Sequence, residues 1–164
     1  MGSFPDAEVR GALDRYVALR EQIENGAAPW TDIADMFTED AVFVDPAWGR
    51  VEGRERIRHL FATAMPGVDF KYPIDFVATS GEWAVVKWRQ VLPGTRADGR
   101  TYEQTGVTLL WYGGDGRFRF EEDVLNMVHA VEDVVESGWM PGEGFVAPPE
   151  HPDRDTDPLP KSSS

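Results

Sequence analysis

The first part of the chain has apolar residues at the spacing of amphipathic helices. Over residues 7–25 the apolar positions recur every three or four residues, and Gly26 follows as a stop signal. A short apolar cluster over residues 31–37 and a stripe over residues 54–65 repeat this spacing. The pattern therefore predicts three helices in the N-terminal part of the chain.

After Pro66 and Gly67 the pattern becomes extended, with β-branched and aromatic residues between turns rich in glycine. A short strand, Ala41–Pro46, is predicted earlier, between the second and third helices, and a last helical turn is predicted over residues 131–137. The four later strands are predicted at residues 68–78, 83–92, 101–112 and 118–128.

Helices grouped first and antiparallel strands grouped second predict an α+β fold. We expect a cone, in which a curved, mostly antiparallel sheet packs on the three N-terminal helices as in a cystatin-like roll. This cone domain is expected over residues 1–137, followed by a Pro/Gly-rich extension at residues 138–164. Trp139, Met140 and Phe145 are expected to pack over the domain or a partner subunit, and the chain beyond Pro148 is expected to be a mobile tail.

Composition excludes several classes of function. The formal charge of −13, from 29 acidic and 16 basic residues, disfavours nucleic acid and anionic membrane surfaces as partners. The absence of cysteine excludes disulfides and thiol nucleophiles, and fits a cytoplasmic protein. No apolar run is long enough to span a bilayer. The three histidines have no ligand spacing and no dinucleotide or phosphate motif occurs, so we expect neither a metal nor a cofactor.

Five short motifs occur in order within residues 7–130. They are Arg15-Tyr16, residues 37–46 ending in Asp45-Pro46, Gly53-Arg54-Glu55, Gly99 to Tyr102, and Asp115 to Phe118 leading into residues 121–123. Together they resemble the nuclear transport factor two-like superfamily, which includes ketosteroid isomerase, SnoaL-like polyketide cyclases and limonene epoxide hydrolase. The resemblance implies a deep pocket between sheet and helices, and in many members a homodimer.

Asp45 ends a short apolar strand, where desolvation would raise the pKa of a carboxyl group towards neutrality. It matches the proton-shuttling aspartate of ketosteroid isomerase-like sequences, although a turn aspartate before proline is the alternative. Tyr16 lies on the apolar stripe of the first helix, where these isomerases carry an oxyanion-stabilising tyrosine, and it could equally be a core residue. The second oxyanion residue of that family is replaced here by Thr108.

Asp123 and Glu121 share one face of a predicted strand, and period alone does not say whether that face is buried. The resemblance implies that Asp123 is the acid–base aspartate of SnoaL-like cyclases and limonene epoxide hydrolase. It also implies that Arg89 orients Asp123, unless Arg89 is a surface residue. The second aspartate of the hydrolase triad is replaced by Val91, so that triad is incomplete.

These residues define the predicted site. The predicted catalytic residues are Asp45, Asp123, Tyr16 and Arg89, and the predicted substrate contacts are Phe43, Phe61, Trp88, Thr108, Glu121 and Leu125. Aromatic residues are abundant, six of them tryptophans, and can line a cavity as well as a core.

We therefore expect a cofactor-independent acid–base enzyme that acts on a hydrophobic, ring-bearing small molecule by isomerisation, cyclisation or dehydration. Two alternatives stay open. One is a non-catalytic binding or dimerisation domain, which would bind apolar ligands without turnover. The other is an epoxide hydrolase, which Val91 disfavours.

Overall fold

The computed structural model describes residues 3–161. The helices are α1 (Asp6–Glu24), a 3-10 helix (Trp30–Met36), α2 (Arg54–Ala64) and α3 (Met127–Ser137). The strands are β1 (Phe37–Asp45), β2 (Gly49–Glu52), β3 (Ile74–Ser80), β4 (Trp83–Thr95), β5 (Thr101–Gly114) and β6 (Arg117–Leu125). Residues 162–164, the end of the predicted extension, lie outside the described residues.

The six strands form one sheet in the order β2-β1-β6-β5-β4-β3. The pairing of β1 with β6 is parallel, and the other four pairings are antiparallel. The predicted α+β fold, with a curved and mostly antiparallel sheet packed against helices, is confirmed.

The core lies between the inner face of this sheet and the helices. Helix α1 buries Val9, Leu13, Tyr16 and Ile23, which recur at the spacing that predicted the helix. On β4, Ala84, Val86, Trp88, Gln90 and Leu92 are all buried, whereas the odd-numbered residues between them are less buried. Inward and outward positions therefore alternate strictly along β4.

Several element boundaries differ from the sequence prediction, and one strand was not predicted. Strand β3 begins at Ile74 rather than at Val68, after Pro73, whose nitrogen cannot donate a ladder hydrogen bond. Strand β6 ends at Leu125 because the Asn126 side chain accepts hydrogen bonds from the next backbone N–H groups and starts α3. Strand β2 was not predicted; it is only four residues long and pairs with β1.

The C-terminal extension packs against the domain, which differs from the mobile tail expected beyond Pro148. The reason is Arg50 of β2, whose side chain is 2% exposed. Its guanidinium donates to the backbone oxygens of Asp155 (3.3 Å), Asp157 and Leu159, and its backbone N–H donates to Asp153. The buried side chain of Arg50 thus has hydrogen-bond acceptors on the extension. We call these contacts between Arg50 and the extension the Arg50 clasp.

Among residues 3–161, no helix is both long enough and apolar enough to cross a membrane.

Replacing Arg50 with Gln should free the extension, because a single amide cannot supply the donors that hold three backbone carbonyls. The amides of Asp155, Asp157 and Leu159 should then exchange with deuterium at least about ten-fold faster, as hydrogen bonds to charged groups contribute roughly 1.5–3 kcal/mol each. Hydrogen exchange read by mass spectrometry checks this. Arg10→Gln is the control, because Arg10 is exposed and pairs only with Asp14 on α1; unchanged exchange in Arg50→Gln would contradict the clasp.

Candidate active site

A cavity of about 350 Å³ opens between the sheet and the helices. Of the predicted substrate contacts, Phe43, Phe61, Trp88, Glu121 and Leu125 line it, as do the predicted catalytic residues Asp45, Asp123 and Tyr16. Its walls are largely aromatic: the ring of Trp30 stacks on Phe61 at 5.8 Å and meets Tyr72 edge-on at 5.6 Å. A volume of this size suits a small molecule of drug-like dimensions.

The two aspartates lie side by side at one end of this cavity. In the parallel pairing of β1 with β6, Phe43 is opposite Glu121 and Val44 is opposite Glu122. Continuing this register by one residue puts Asp45 beside Asp123, on strands about 4.8 Å apart. Both strands end within two residues of this point, so the carboxyl groups meet at the sheet's end.

Asp45 is oriented by the turn that follows it. Its Oδ1 atom accepts hydrogen bonds from the backbone N–H groups of Ala47 and Trp48, both at 2.7 Å. Burial raises the pKa of Asp45, and these two hydrogen bonds oppose the rise because they favour the charged form. Among the described residues, none donates to the other oxygen, Oδ2, which is therefore available to a ligand.

Asp123 has the more strongly shifted carboxyl. Burial and the neighbouring charge of Asp45 raise its pKa to about 7, against the hydrogen bond from Thr108 and the attraction of Arg20. At neutral pH Asp123 is therefore present in both protonation states, which is the condition for efficient proton exchange.

Thr108 lies behind Asp123 and does not line the cavity, so the prediction that it contacts substrate is wrong. Its hydroxyl accepts a hydrogen bond from the indole N–H of Trp88 (2.8 Å) and donates to Asp123. The indole N–H of Trp88 can only donate, so the oxygen of Thr108 is the acceptor in that bond. The hydroxyl proton of Thr108 is then free to be donated to Asp123. Gly106 makes this possible, since a Cβ there would collide with the Trp88 ring.

Tyr16 reaches the cavity, but its hydroxyl is engaged. It donates to Glu121 (3.1 Å) and accepts a hydrogen bond from Arg20 (3.3 Å). Burial raises the pKa of Tyr16 well above its usual value, so the phenol stays protonated. Burial and the charge of Asp123 likewise raise the pKa of Glu121 far above its usual range. Burial therefore favours the neutral form of Glu121, and Tyr16 holds its carboxyl group in place.

Arg89 does not lie beside Asp123, so that prediction is wrong. It points to the outer face of the sheet, where it pairs with Asp75 (3.0 Å) and Glu103 (3.2 Å). The cause is strand parity: Trp88 and Gln90 face inward, so the residue between them must face outward. Val91, at the position of the missing second aspartate, has the same outward parity.

The cation of the site is Arg20, which sequence reasoning did not find. It is 6% exposed, lies on α1 one turn after Tyr16, and has its guanidinium 5.1 Å from the centre of the Trp30 ring. Burial opposes its charge, but Tyr16, Asp123 and Glu121 together raise the pKa of Arg20, so it stays charged. The signal was present: the four-residue step from Tyr16 to Arg20 puts both on one face of α1.

Part of the cavity wall comes from the C-terminal extension, through Trp139, Phe145, Val146 and Pro148. Trp139 packs on Phe70 with ring centres 4.7 Å apart and donates its indole N–H to Asp69 (2.7 Å). Gly142 donates a backbone hydrogen bond to Gly67 (2.8 Å). Trp139 and Phe145 thus pack over the domain itself, one of the two arrangements expected, whereas Met140 is exposed and does not.

Two further polar residues, Tyr72 and Gln90, line the cavity and were not predicted as site residues. Elsewhere in residues 3–161, no group of three or more acidic or histidine side chains is placed to hold a metal ion.

A model of the SnoaL-like domain matches residues 14–121. The chain belongs to the SnoaL-like domain family. This confirms the resemblance stated from the sequence motifs, and the matched segment of the SnoaL-like domain includes Tyr16, Arg20, Asp45 and Glu121. Asp123 and the C-terminal extension follow the matched segment. A comparison with curated proteins finds no match.

Solved structures share the fold of this SnoaL-like domain. One, described as a SnoaL-like polyketide cyclase from Jannaschia sp. CCS1, has a TM-score of 0.62 and 18% identity, over 85% of this chain and 100% of that chain. An LEH-like epoxide hydrolase from M. tuberculosis has a TM-score of 0.58 and 16% identity, over 80% and 92%. A protein with a ketosteroid isomerase-like fold from Catenulispora acidiphila, solved in complex with trimethylamine, has a TM-score of 0.57 and 19% identity, over 77% and 97%.

Replacing Arg20 with Met should raise the pKa of Asp123 above its wild-type value of about 7, because the nearest buried positive charge is lost. Arg89→Gln should leave that pKa unchanged, because Arg89 faces the other side of the sheet. Carbon-13 NMR titration of the aspartate carboxyl groups measures both. An upward shift in Arg89→Gln, with none in Arg20→Met, would restore the sequence-based prediction.

The way in which the stability of the domain changes with pH should also depend on the pKa of Asp123. A carboxyl whose pKa is raised on folding stabilises the folded state in acid, and this stabilisation is lost as the pH rises from the ordinary value of about 4 through about 7. Asp123→Asn cannot ionise, so its melting temperature should exceed that of the wild type by more at pH 8 than at pH 5. Thermal unfolding at both values measures the difference.

The matched control is Asp75→Asn. The hydrogen bonds from Lys87 and Arg89 lower the pKa of Asp75, so its contribution to stability is already complete at pH 5. The effect of this substitution should therefore be the same at pH 5 and pH 8. An equally constant effect for Asp123→Asn would show that Asp123 titrates normally.

Proposed function

We propose that this SnoaL-like domain is an acid–base enzyme that transfers a proton next to a carbonyl group of a hydrophobic, ring-bearing small molecule. The observation that carries the proposal is that Asp45 and Asp123 line the same aromatic cavity, where the charge of Asp45 acts on Asp123. A surface pair of carboxylates would stay ionised and exchange protons poorly at neutral pH. Here desolvation raises the pKa of both carboxyl groups, and the charge of Asp45 raises that of Asp123 further, so that Asp123 can exchange a proton near neutral pH.

The two carboxyl groups are suited to different halves of a proton transfer. Asp45 accepts hydrogen bonds from two backbone N–H groups that favour its charged form, so it is the better candidate for the carboxylate that accepts a proton. Asp123, with a pKa of about 7, supplies a proton from its neutral form. A base and an acid of this kind contribute about 10²–10⁴-fold to rate.

Arg20 keeps the cavity close to electrical neutrality. Raised pKa values favour the neutral forms of Glu121 and Asp123, and the positive charge of Arg20 opposes the negative charge that remains on the carboxylates. A buried arginine that faced only neutral groups would be costly, and so would two buried carboxylates without a cation. The arrangement therefore supports one mobile proton in an otherwise apolar cavity.

The reaction follows from these groups. The Asp45 carboxylate removes a proton from the carbon next to the carbonyl, and the electron pair of that C–H bond moves into the carbonyl to give an enolate. Protonation at another carbon gives isomerisation, attack on a second carbonyl gives cyclisation, and loss of a neighbouring hydroxyl protonated by Asp123 gives dehydration. All three share the first step and need only the residues of this cavity.

The comparisons favour the same class of reaction without specifying the product. The Jannaschia protein, which covers most of this chain, is described as a polyketide cyclase, and cyclisation of that kind makes rings from carbonyl-bearing chains. Epoxide hydrolysis has less support, because Arg89 and Val91 both face away from the cavity.

The shared first step can be measured without knowing the natural substrate. The wild-type protein should accelerate exchange of the protons next to the carbonyl of 2-tetralone, a bicyclic ketone, in deuterium oxide near neutral pH. Asp45→Asn and Asp123→Asn should each slow this exchange by about 10²–10⁴-fold. Proton NMR follows the loss of signal.

Asp75→Asn is the control, since Asp75 lies on the outer face of the sheet with Lys87 and Arg89, and its exchange rate should equal that of the wild type. Exchange no faster than in buffer, or unchanged in both active-site variants, would overturn the enzymatic proposal. Binding of 2-tetralone without exchange would favour the alternative of a non-catalytic binding domain.

A further inference from the structure

Two polar side chains of the cavity are left without a role by the proton transfer described above. Gln90 faces inward from β4 and is 9% exposed, and Tyr72 lines the same cavity. Within residues 3–161, neither the amide of Gln90 nor the hydroxyl of Tyr72 makes a side-chain hydrogen bond, and neither counts among the fully buried atoms that lack a partner. Both groups therefore face the open cavity, where they are available to hydrogen-bond a ligand.

The two residues are direct neighbours. Lys71 and Val91 form an antiparallel bridge with two backbone hydrogen bonds, at 2.9 and 2.8 Å. The next pair in that register is Tyr72 opposite Gln90. Such a non-hydrogen-bonded pair has its Cα atoms only about 4.5 Å apart and its side chains close together. The amide and the phenol therefore approach the cavity from one place on its wall.

The ring of Tyr72 is fixed by its neighbours. It meets Trp30 edge-on at 5.6 Å and Trp88 at 5.8 Å, so its hydroxyl has little freedom to find a partner elsewhere. Burial, followed by the charge of Asp45, raises the pKa of Tyr72. The hydroxyl therefore stays protonated and remains a hydrogen-bond donor at neutral pH.

We propose that Tyr72 and Gln90 form a binding site for the carbonyl oxygen of a cyclic ketone or quinone. Tyr72 donates through its hydroxyl and Gln90 through its amide N–H, which gives one oxygen two donors. An anionic group such as a carboxylate would bind poorly here. The negative charge of Asp45, which is close enough to affect the Tyr72 hydroxyl, would repel such a group. The inference deepens the proposed function and rests on it, because it assumes that the cavity holds the substrate.

The site also explains how the reacting carbon is positioned. The same electrostatic neighbours act on Tyr72 and on the acid pair, since Asp45, Arg20 and Asp123 all influence its hydroxyl. A carbonyl oxygen bound by Tyr72 brings the adjacent carbon towards Asp45. As the enolate forms, negative charge grows on the oxygen that Tyr72 and Gln90 hold, and their hydrogen bonds strengthen.

Equilibrium binding tests the inference with two matched probes, 2-tetralone and the hydrocarbon tetralin, which lacks the oxygen. Wild-type protein should bind 2-tetralone about ten-fold or more tightly than tetralin, since two neutral hydrogen bonds are made with one probe and left unmade with the other. In the double variant Tyr72→Phe with Gln90→Met, which keeps the shape and removes the donors, the ratio should fall to near one. Quenching of tryptophan fluorescence measures both affinities.

Tyr102→Phe is the control. Tyr102 packs under Arg96 outside the cavity, so the same loss of a hydroxyl there should leave the ratio unchanged. Equal affinity of the wild type for the two probes, absence of binding by 2-tetralone, or a preference retained in the double variant would each overturn the inference. Thermal unfolding of each variant confirms that it is folded.

The outcomes also separate this inference from the proposed function. Asp123→Asn should keep the preference for 2-tetralone while losing proton exchange. If the wild type shows the preference but no exchange, the oxygen site stands and the enzymatic proposal fails. If exchange occurs but the double variant binds both probes as the wild type does, the acid pair stands and the oxygen is held elsewhere.

Discussion

The parallel pairing of β1 with β6 is the constraint on which the site depends. Among the strand pairings of residues 3–161 it is the one that is not antiparallel, and it carries both strands in the same direction to the same end of the sheet. Asp45 and Asp123, nearly eighty residues apart in sequence, therefore meet as neighbours. An antiparallel pairing of the same strands would send their C-terminal ends to opposite edges. The electrostatic coupling that raises the pKa of Asp123 is a direct result of this topology.

Around that pair, the acids are held by residues behind them, and only Arg20 Nε and Glu121 Oε2 are buried without a hydrogen-bond partner among the side chains of residues 3–161. Thr108, fixed by the indole of Trp88, donates to Asp123, and Tyr16 holds Glu121. Arg20 supplies the compensating charge from α1. A buried cluster of acids is stable only when its charge and hydrogen bonds are nearly complete. Tyr72 and Gln90, which face the open cavity without a side-chain hydrogen bond, are consequently informative about the ligand.

The sequence predicted the fold and much of the cavity because those depend on period and on short motifs. The apolar stripe of α1 and the Asp45-Pro46 strand end were readable directly. The side of the sheet on which Arg89 lies was predicted wrongly. A shift of one residue along a strand moves a side chain to the opposite face, and motif spacing does not locate a residue to within one position. Arg20 was overlooked although its helical spacing from Tyr16 was visible. Tyr72 and Gln90 could not have been paired from sequence, because their contact depends on an isolated bridge between irregular chain and β4.

The acid pair and part of the cavity wall come from different parts of the chain, and the Arg50 clasp holds the second of these in place. The acids and their supporting residues belong to the sheet and to α1, whereas Trp139, Phe145, Val146 and Pro148 belong to the C-terminal extension. Arg50 binds that extension further along, through the backbone carbonyls of Asp155 and Leu159. Carbonyl groups exist in every residue, so the anchoring makes few demands on the sequence of that segment. Substitutions in this part of the wall can thus change which ligand fits the cavity without altering the residues that hold the acid pair.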